Sequence, residues 1–189
     1  MKQNSYKLVL SSLFAALIAG GAVFSIPLPP PLLPVTLAVF FCLLAGLILG
    51  PFYGLLSVLV YLAIGSVGLP VFANGAGGFG QFAGPSGGFL AAYAPLAFVS
   101  GLLSDRKAWS FVRGIAAAMA GVAVLYLIGL PVFRMVLDGS PGNGLSMAGA
   151  FAIMAPYLLG DVLKAVAAAA LVSALRPLLS NYLPNEKAK

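Results

Sequence analysis

Residues 35–67 read VTLAVFFCLLAGLILGPFYGLLSVLVYLAIGSV, two apolar runs separated by the pair Gly50-Pro51. They belong to a longer stretch, residues 8–104, that contains no Asp, Glu, Lys or Arg. A helix that spans a bilayer needs about 20 apolar residues, so this stretch has room for about four spans and their turns. Because the roughly 10-residue alternating segments of a membrane barrel are absent, the sequence predicts an all-α integral membrane protein.

The composition agrees with a membrane protein and excludes several kinds of chemistry. Of the 189 residues, 61% are hydrophobic and 7% are charged, whereas soluble domains carry about 25% charged residues. The chain has no histidine, which excludes a histidine general base, a Ser-His or Cys-His pair and an HExxH metal site. The single cysteine, Cys42, allows neither an internal disulfide nor a thiolate metal cluster. It has an apolar setting, and we interpret it as a small core residue.

Two further functions are disfavoured by the motifs and the charge pattern. The chain has no GxxxxGK[ST] motif and therefore does not hydrolyse nucleotide through a P-loop. Its net charge is +6, but the basic residues form no stripe interleaved with aromatic residues, as a nucleic-acid surface would require. We therefore assign the positive charge to membrane topology and expect no nucleic-acid partner.

Proline and glycine breakers divide the apolar sequence into six predicted transmembrane helices. These are residues 8–24, 35–49, 52–67, 89–103, 113–136 and 148–175. We treat residues 1–189 as a single six-helix domain. An alternative for the first helix is a cleaved signal peptide, because Lys2 and Lys7 precede an apolar run that ends in small residues, although no clean A-x-A site follows.

The distribution of lysine and arginine predicts the orientation of the bundle. Six spans place both termini and the loop between the fourth and fifth helices on one side of the membrane. Among the lysines and arginines near the ends of the spans, the other side carries Arg134 alone. By the positive-inside rule, both termini face the cytoplasm. The basic residues on that side are Lys2, Lys7, Arg106, Lys107, Arg113, Arg176, Lys187 and Lys189.

Asp161 and Lys164 are the charged residues that must lie well inside a predicted span. Each costs about 2.5–3.5 kcal/mol at mid-helix on insertion scales, so another interaction must offset it. At positions i and i+3 they share a helix face and can form an ion pair. Asp161 lies about 22 Å from the cytoplasmic end at Arg176, in the outer half of the membrane. We favour a binding site over a purely structural ion pair, because a buried pair is a costly way to join helices.

Two other stretches have a composition that suits contacts with a ligand or a partner. Residues 74–88 are rich in glycine, which permits close backbone approach, so they could fold over a ligand or form a plain flexible connection. On the first helix, Ala15 and Ala19, with Ala16 and Gly20, place small residues four apart. Such a face allows another helix to approach closely, although internal packing explains it equally well.

Three stretches together resemble the BioY family, the biotin-specific substrate-capture (S) component of energy-coupling-factor vitamin transporters. They are residues 34–51, residues 68–90 and residues 156–164, and the G-D-x-x-K element at 160–164 is the most specific. Their order and spacing match across nearly the whole chain. Two departures are Ala38, where the family often has glutamine, and Ser86, where threonine is usual.

The resemblance implies a multi-pass protein of the prokaryotic cytoplasmic membrane that captures biotin from outside. It implies no enzymatic activity and no cofactor, with biotin as the transported ligand. Its partners would be a transmembrane coupling (T) component and two cytoplasmic ATPase subunits, which power release inward. In this class of proteins an A-x-x-x-A face on the first helix docks the coupling protein, and Ala15 and Ala19 match that pattern.

The resemblance and the residue chemistry also predict the substrate-binding residues. An ionised Asp161 can accept the ureido N–H bonds of biotin, and Lys164 can supply a donor or a counter-charge. The further predicted contacts are Asn74, Gln81, Gly84, Ser86, Gly87 and Tyr93. Two alternative functions remain: an S component for another vitamin, and an ion-coupled secondary carrier that uses Asp161 as its titrating group.

Overall fold

The computed structural model describes residues 2–29, 32–104, 109–139 and 144–182. Over these residues the chain forms six α-helices and two short 3-10 turns, at Ala73–Gly75 and Phe79–Ala83. All six predicted helices are present, which confirms the all-α prediction. The helices are α1 (Lys2–Val23), α2 (Ala38–Leu49), α3 (Pro51–Ser66), α4 (Gly87–Leu103), α5 (Phe111–Asp138) and α6 (Met147–Tyr182).

Two predicted boundaries are wrong, and the first is the start of α1, which lies at Lys2 and not at residue 8. We expected α6 to stop at Arg176-Pro177, but the helix continues to Tyr182. Proline also lies within α4, at Pro95, and within α5, at Pro131. In membrane helices proline is tolerated because neighbouring helices and local adjustments satisfy the freed backbone groups. Proline is therefore a weaker stop signal in this chain than we predicted from the sequence.

The six helices differ in length. Within the residues that the structure describes, three segments are long and apolar enough, by length and composition, to cross a membrane: Ser5–Val23, Phe111–Asp138 and Met147–Arg176. Of the other three, α2 has 12 residues, α3 has 16 and α4 has 17. The chain is therefore an apolar helical bundle with a long first helix, three short middle helices and two long final ones.

The short helix α2 lies at the centre of the bundle, in contact with α1, α3, α4 and α6. It is buried along nearly its whole length, from Ala38 to Leu49. Glycine makes this packing possible: a Cβ added at Gly46 would lie 2.4 Å from the carbonyl oxygen of Ala97 in α4. A Cβ at Gly54 in α3 would lie 2.7 Å from the Cα of Gly46. The backbones of α2, α3 and α4 therefore approach more closely than larger residues allow.

The loops between α1 and α2 and between α3 and α4 meet at one end of the bundle. Ile26 and Val35 pair antiparallel through two backbone hydrogen bonds of 2.9 and 3.1 Å, which draws the α1–α2 loop into a hairpin. Ser25 donates its hydroxyl to Oδ1 of Asn74 at 2.8 Å and accepts the backbone N–H of Asn74 at the same distance. These contacts join the two loops to each other.

The glycine-rich stretch, residues 74–88, is packed down against α3. The backbone N–H of Gly78 donates to the carbonyl of Gly65 at 2.7 Å. The neighbouring Phe72 is buried, with its ring edge-on to Tyr61 at 5.5 Å and to Phe82 at 6.2 Å between centroids. The stretch is therefore a folded segment with its own aromatic cluster.

The small residues of α1 divide between two faces of the helix. Ala15 is 3% exposed and belongs to the core, and Ala19 is half-buried against that core. Ala16 is exposed, and a Cβ added at Gly20 would have open space around it. Ala15 therefore packs within the chain, as the internal-packing alternative expects. The outward small face of α1 is displaced from the predicted one by one residue.

Candidate functional site

The two charged residues predicted to pair do so on α6. Nζ of Lys164 lies 2.9 Å from Oδ1 of Asp161, and the side chains are 17% and 9% exposed. The i, i+3 spacing predicted from the sequence places both on one face of the helix. A pair this well shielded from solvent interacts strongly, and removing either partner would leave an uncompensated charge.

A third polar group approaches the pair from α5. The hydroxyl of Tyr126 donates to Oδ2 of Asp161 at 2.9 Å. Each carboxylate oxygen of Asp161 therefore accepts one hydrogen bond, from Lys164 on one side and from Tyr126 on the other. Two helices thus meet at a single buried carboxylate.

These groups line a cleft that contains about 420 Å³ of empty space, the part open to solvent included. The α1–α2 loop and four helices form its walls. Apart from the polar cluster, most of the lining is apolar or aromatic. The lining residues are Leu33, Pro34, Val35, Thr36, Val39, Phe89, Tyr93, Leu125, Tyr126, Met154, Tyr157, Asp161 and Lys164.

Of the predicted substrate contacts, the cleft brings together Asp161, Lys164 and Tyr93. The five residues predicted from the glycine-rich stretch do not line it: Asn74, Gln81, Gly84, Ser86 and Gly87. Asn74 is exposed and bonded to Ser25, while Gly87 is buried beneath the backbone of Phe82. Aromatic packing of Phe72 against Tyr61, and of Phe82 against Phe72, holds this stretch against α3.

Three hydroxyl-bearing residues of the cleft are not among the predicted contacts: Thr36, Tyr126 and Tyr157. Tyr157 lies one helical turn before Asp161, and its hydroxyl donates to the backbone carbonyl of Leu33. This bond joins the α1–α2 loop to α6. The sequence does contain a signal for Tyr126, because a tyrosine within an apolar helix usually finds a hydrogen-bond partner for its hydroxyl. The identity of that partner depends on how α5 packs against α6.

The arrangement suits a small ligand with one polar end and an apolar body. Asp161 offers acceptor oxygens, Lys164 offers N–H donors, and tyrosines such as Tyr93 offer hydroxyls on aromatic walls. A cleft that is mostly apolar, with a few convergent polar groups, is the usual form of a small-molecule site.

Comparison with known proteins decides the family. The model of the BioY family matches residues 1–181. The chain belongs to the BioY family. A curated relative named biotin transporter BioY, from Rhodobacter capsulatus, is 41% identical over 164 residues, which are 83% of this chain and 86% of the relative. The biotin transporter BioY of Thermotoga maritima is 38% identical over 172 residues, 91% of this chain and 96% of that protein.

A solved structure supports the same assignment. The crystal structure of the S-component for biotin from an ECF-type ABC transporter matches with a TM-score of 0.72 and 27% identity, over 93% of each chain. Membership in the BioY family and the apolar helices make this chain a membrane protein of a transporter family.

Proposed function

We propose that this chain captures biotin and serves as the S component of an energy-coupling-factor transporter. The observation that carries the proposal is the buried carboxylate of Asp161, bonded by Lys164 and Tyr126, on the wall of an otherwise largely apolar cleft, in a chain of the BioY family. The names of its curated relatives agree with this ligand.

The chemistry of biotin matches the cleft. Its ureido ring has two N–H donors, one on each side of a carbonyl acceptor, so Asp161 can accept one N–H bond and Lys164 can donate or supply a counter-charge. The apolar thiophane ring and valeryl chain suit walls such as Phe89 and Tyr93.

We propose the predicted orientation for the bundle, with both termini in the cytoplasm and the cleft open toward the outer side. It rests on the lysine and arginine distribution. In a bundle of six spans the α1–α2 and α3–α4 loops then share the outer side with Arg134. The location that follows is the cytoplasmic membrane of a prokaryote, with the lipid bilayer around the bundle.

We further propose that a coupling component and two ATPase subunits complete the transporter, with α1 as the docking helix. The outward small residues Ala16 and Gly20 present the face that allows close helix approach. Ala19 is half-buried at the border of this face, whereas Ala15 is buried in the core. The docking position therefore moves by one residue from the predicted Ala15.

Equilibrium binding of labelled biotin to the purified chain tests the proposal. We expect saturable binding without any ATPase subunit, because the complete cleft lies within this chain. Other vitamins should compete weakly, which separates a biotin site from an S component for another vitamin. A proton or sodium gradient should leave binding and uptake unaffected if Asp161 is not the titrating group of a secondary carrier. Absence of saturable biotin binding would contradict the proposal.

A further inference from the structure

The loops that meet at one end of the bundle expose large apolar side chains and carry no charge. Residues 24–37, between α1 and α2, and residues 67–86, between α3 and α4, contain no Asp, Glu, Lys or Arg. Exposed apolar patches of this kind mark contact with a membrane, a protein or a ligand. Five of these side chains are more than half exposed and together form what we call the apolar loop surface: Phe24, Ile26, Val67, Leu69 and Phe79.

A contact at the opposite end of the bundle provides a reference level for the depth of this surface. Nζ of Lys7 in α1 lies 5.3 Å from the centroid of the Tyr53 ring in α3, so the two residues are at the same height. In the proposed orientation Lys7 marks the cytoplasmic boundary of the hydrocarbon core, because a lysine near a helix end places its ammonium group at the interface.

Counted from that level, α1 and α3 both end before the outer boundary. From Lys7 to Val23, α1 rises about 24 Å, and from Tyr53 to Ser66, α3 rises about 20 Å. The hydrocarbon core is about 30 Å thick, so the first residues of both loops lie about 6–10 Å inside its outer boundary. The two counts agree with the hydrogen bonds between Ser25 and Asn74, which hold the loops together.

The α5–α6 side of the same end reaches further. Arg113 lies near the cytoplasmic end of α5, and from there the helix rises about 32 Å to Arg134 and about 38 Å to Asp138. These two residues form an exposed ion pair at 3.6 Å, as suits an aqueous setting. The outer end of the bundle is therefore sloped, with the uncharged loops low and the charged helix end high.

We propose that the apolar loop surface lies in the outer leaflet, at the boundary between lipid headgroups and acyl chains, and that lipid covers it. The depth of about 6–10 Å agrees with the roughly 5–10 Å at which interfacial segments bury their apolar faces. The irregular backbone of the loops places them at this boundary and not deeper, because lipid-exposed loops do not occur in the hydrocarbon core.

The choice of leaflet rests on the proposed orientation, whereas the contact with lipid does not depend on the proposed ligand. The contact also lies close to the cleft. Ile26 of the apolar loop surface pairs with Val35, which lines the cleft, so one wall of the cleft has lipid beside it.

Spin labels on the full-length protein, in vesicles of phosphatidylcholine and phosphatidylglycerol, test this inference. Because Cys42 is fully buried, an introduced surface cysteine can be labelled selectively. Labels at Val67→Cys and Phe79→Cys are compared with Leu59→Cys, on the exposed face of α3, and with Gly139→Cys, beside the ion pair. The measurement is the ratio of collision rates with oxygen, which concentrates in the hydrocarbon, and with a neutral nickel chelate, which concentrates in water.

We expect the ratio at residues 67 and 79 to be shifted from the value at residue 139 toward the value at residue 59. A ratio equal to that at residue 139 places the surface in water and overturns the inference. Low collision rates with both reagents show that protein, such as a second copy of this chain, covers the surface, and they overturn it as well. Phe79 packs on Phe82, so Val67→Cys gives an independent result if Phe79→Cys folds poorly.

Two further measurements separate this inference from the proposals beside it. In intact cells, a membrane-impermeant thiol reagent should reach Gly139→Cys from outside, and protection there would overturn the choice of the outer leaflet. Failure of wild type to bind biotin would contradict the proposed function, but the collision rates would still decide whether lipid covers the loops.

Discussion

Replacing either member of the ion pair on α6 is the most direct test of the site. Asp161→Asn removes the negative charge and one of the two acceptor oxygens that serve Lys164 and Tyr126, whereas Lys164→Met leaves Asp161 with the Tyr126 hydroxyl. We therefore expect both substitutions to weaken biotin binding, and Asp161→Asn to weaken it more.

The magnitude follows from the geometry of the pair. At 2.9 Å, with side chains 17% and 9% exposed, the two charges are close and poorly solvated. Breaking such a pair by removing one partner costs about 3–5 kcal/mol, because the remaining charge stays buried. Part of this cost appears in the unliganded protein as lost stability. Expressed in binding, we expect about 2–5 kcal/mol, or roughly 30- to 5,000-fold in Kd.

The assay is equilibrium binding of labelled biotin, with thermal unfolding measured on the same samples. Asp138→Asn is the matched control, since Asp138 also pairs with a basic residue, Arg134 at 3.6 Å, but is 41% exposed and lies outside the cleft. It should bind biotin like wild type. If Asp161→Asn and Lys164→Met also bind like wild type, the assignment of the site is wrong.

Three further predictions address the loops and the docking face. Ala16→Trp should abolish uptake in cells that carry the coupling module while the purified variant still binds biotin, and unchanged uptake would refute docking at that face. The cleft is lined by residues 33–36 and not by residues 74–88, so biotin should protect the first segment from amide exchange more than the second. The reverse order would show that the glycine-rich stretch folds over the ligand. Gly87→Ala should destabilise the protein by about 1–3 kcal/mol in thermal or denaturant unfolding, since its Cβ would lie 2.0 Å from a backbone oxygen, whereas Gly80→Ala, with open space, should be neutral.

The sequence was sufficient to predict the helices and the charged pair, for physical reasons. Long apolar runs have few alternatives to a helix in a membrane, because every backbone polar group must be satisfied within the chain. A charge within such a run needs a partner, and Asp161 has Lys164 on the same helix face. Both predictions depend on local spacing.

The five predicted contacts of the glycine-rich stretch do not line the cleft, because their positions depend on how distant segments of the chain pack together. Glycine composition alone shows where a loop can bend and not where it lies. The position of residues 74–88 is set by Phe72, which fills the space beside Gly65 in α3. The role of Tyr126 likewise requires knowing which face of α5 meets α6. Ala15 and Ala16 illustrate the same point, because one step of about 100° around a helix separates the core from the surface.

The unequal helix lengths have a consequence for the surrounding lipid. At 1.5 Å per residue, α3 and α4 rise roughly 24 and 26 Å, less than a hydrocarbon core of about 30 Å, whereas α5 rises roughly 42 Å. The exposed apolar residues of α3, such as Phe52 and Leu59, therefore face a hydrocarbon core that is thicker than the helix is long. A bilayer responds to such mismatch by local thinning, at a cost of fractions of a kcal/mol per ångström. The acyl-chain length of the lipids in reconstituted membranes should therefore affect the bundle directly. The effect should be greatest on the side formed by α3.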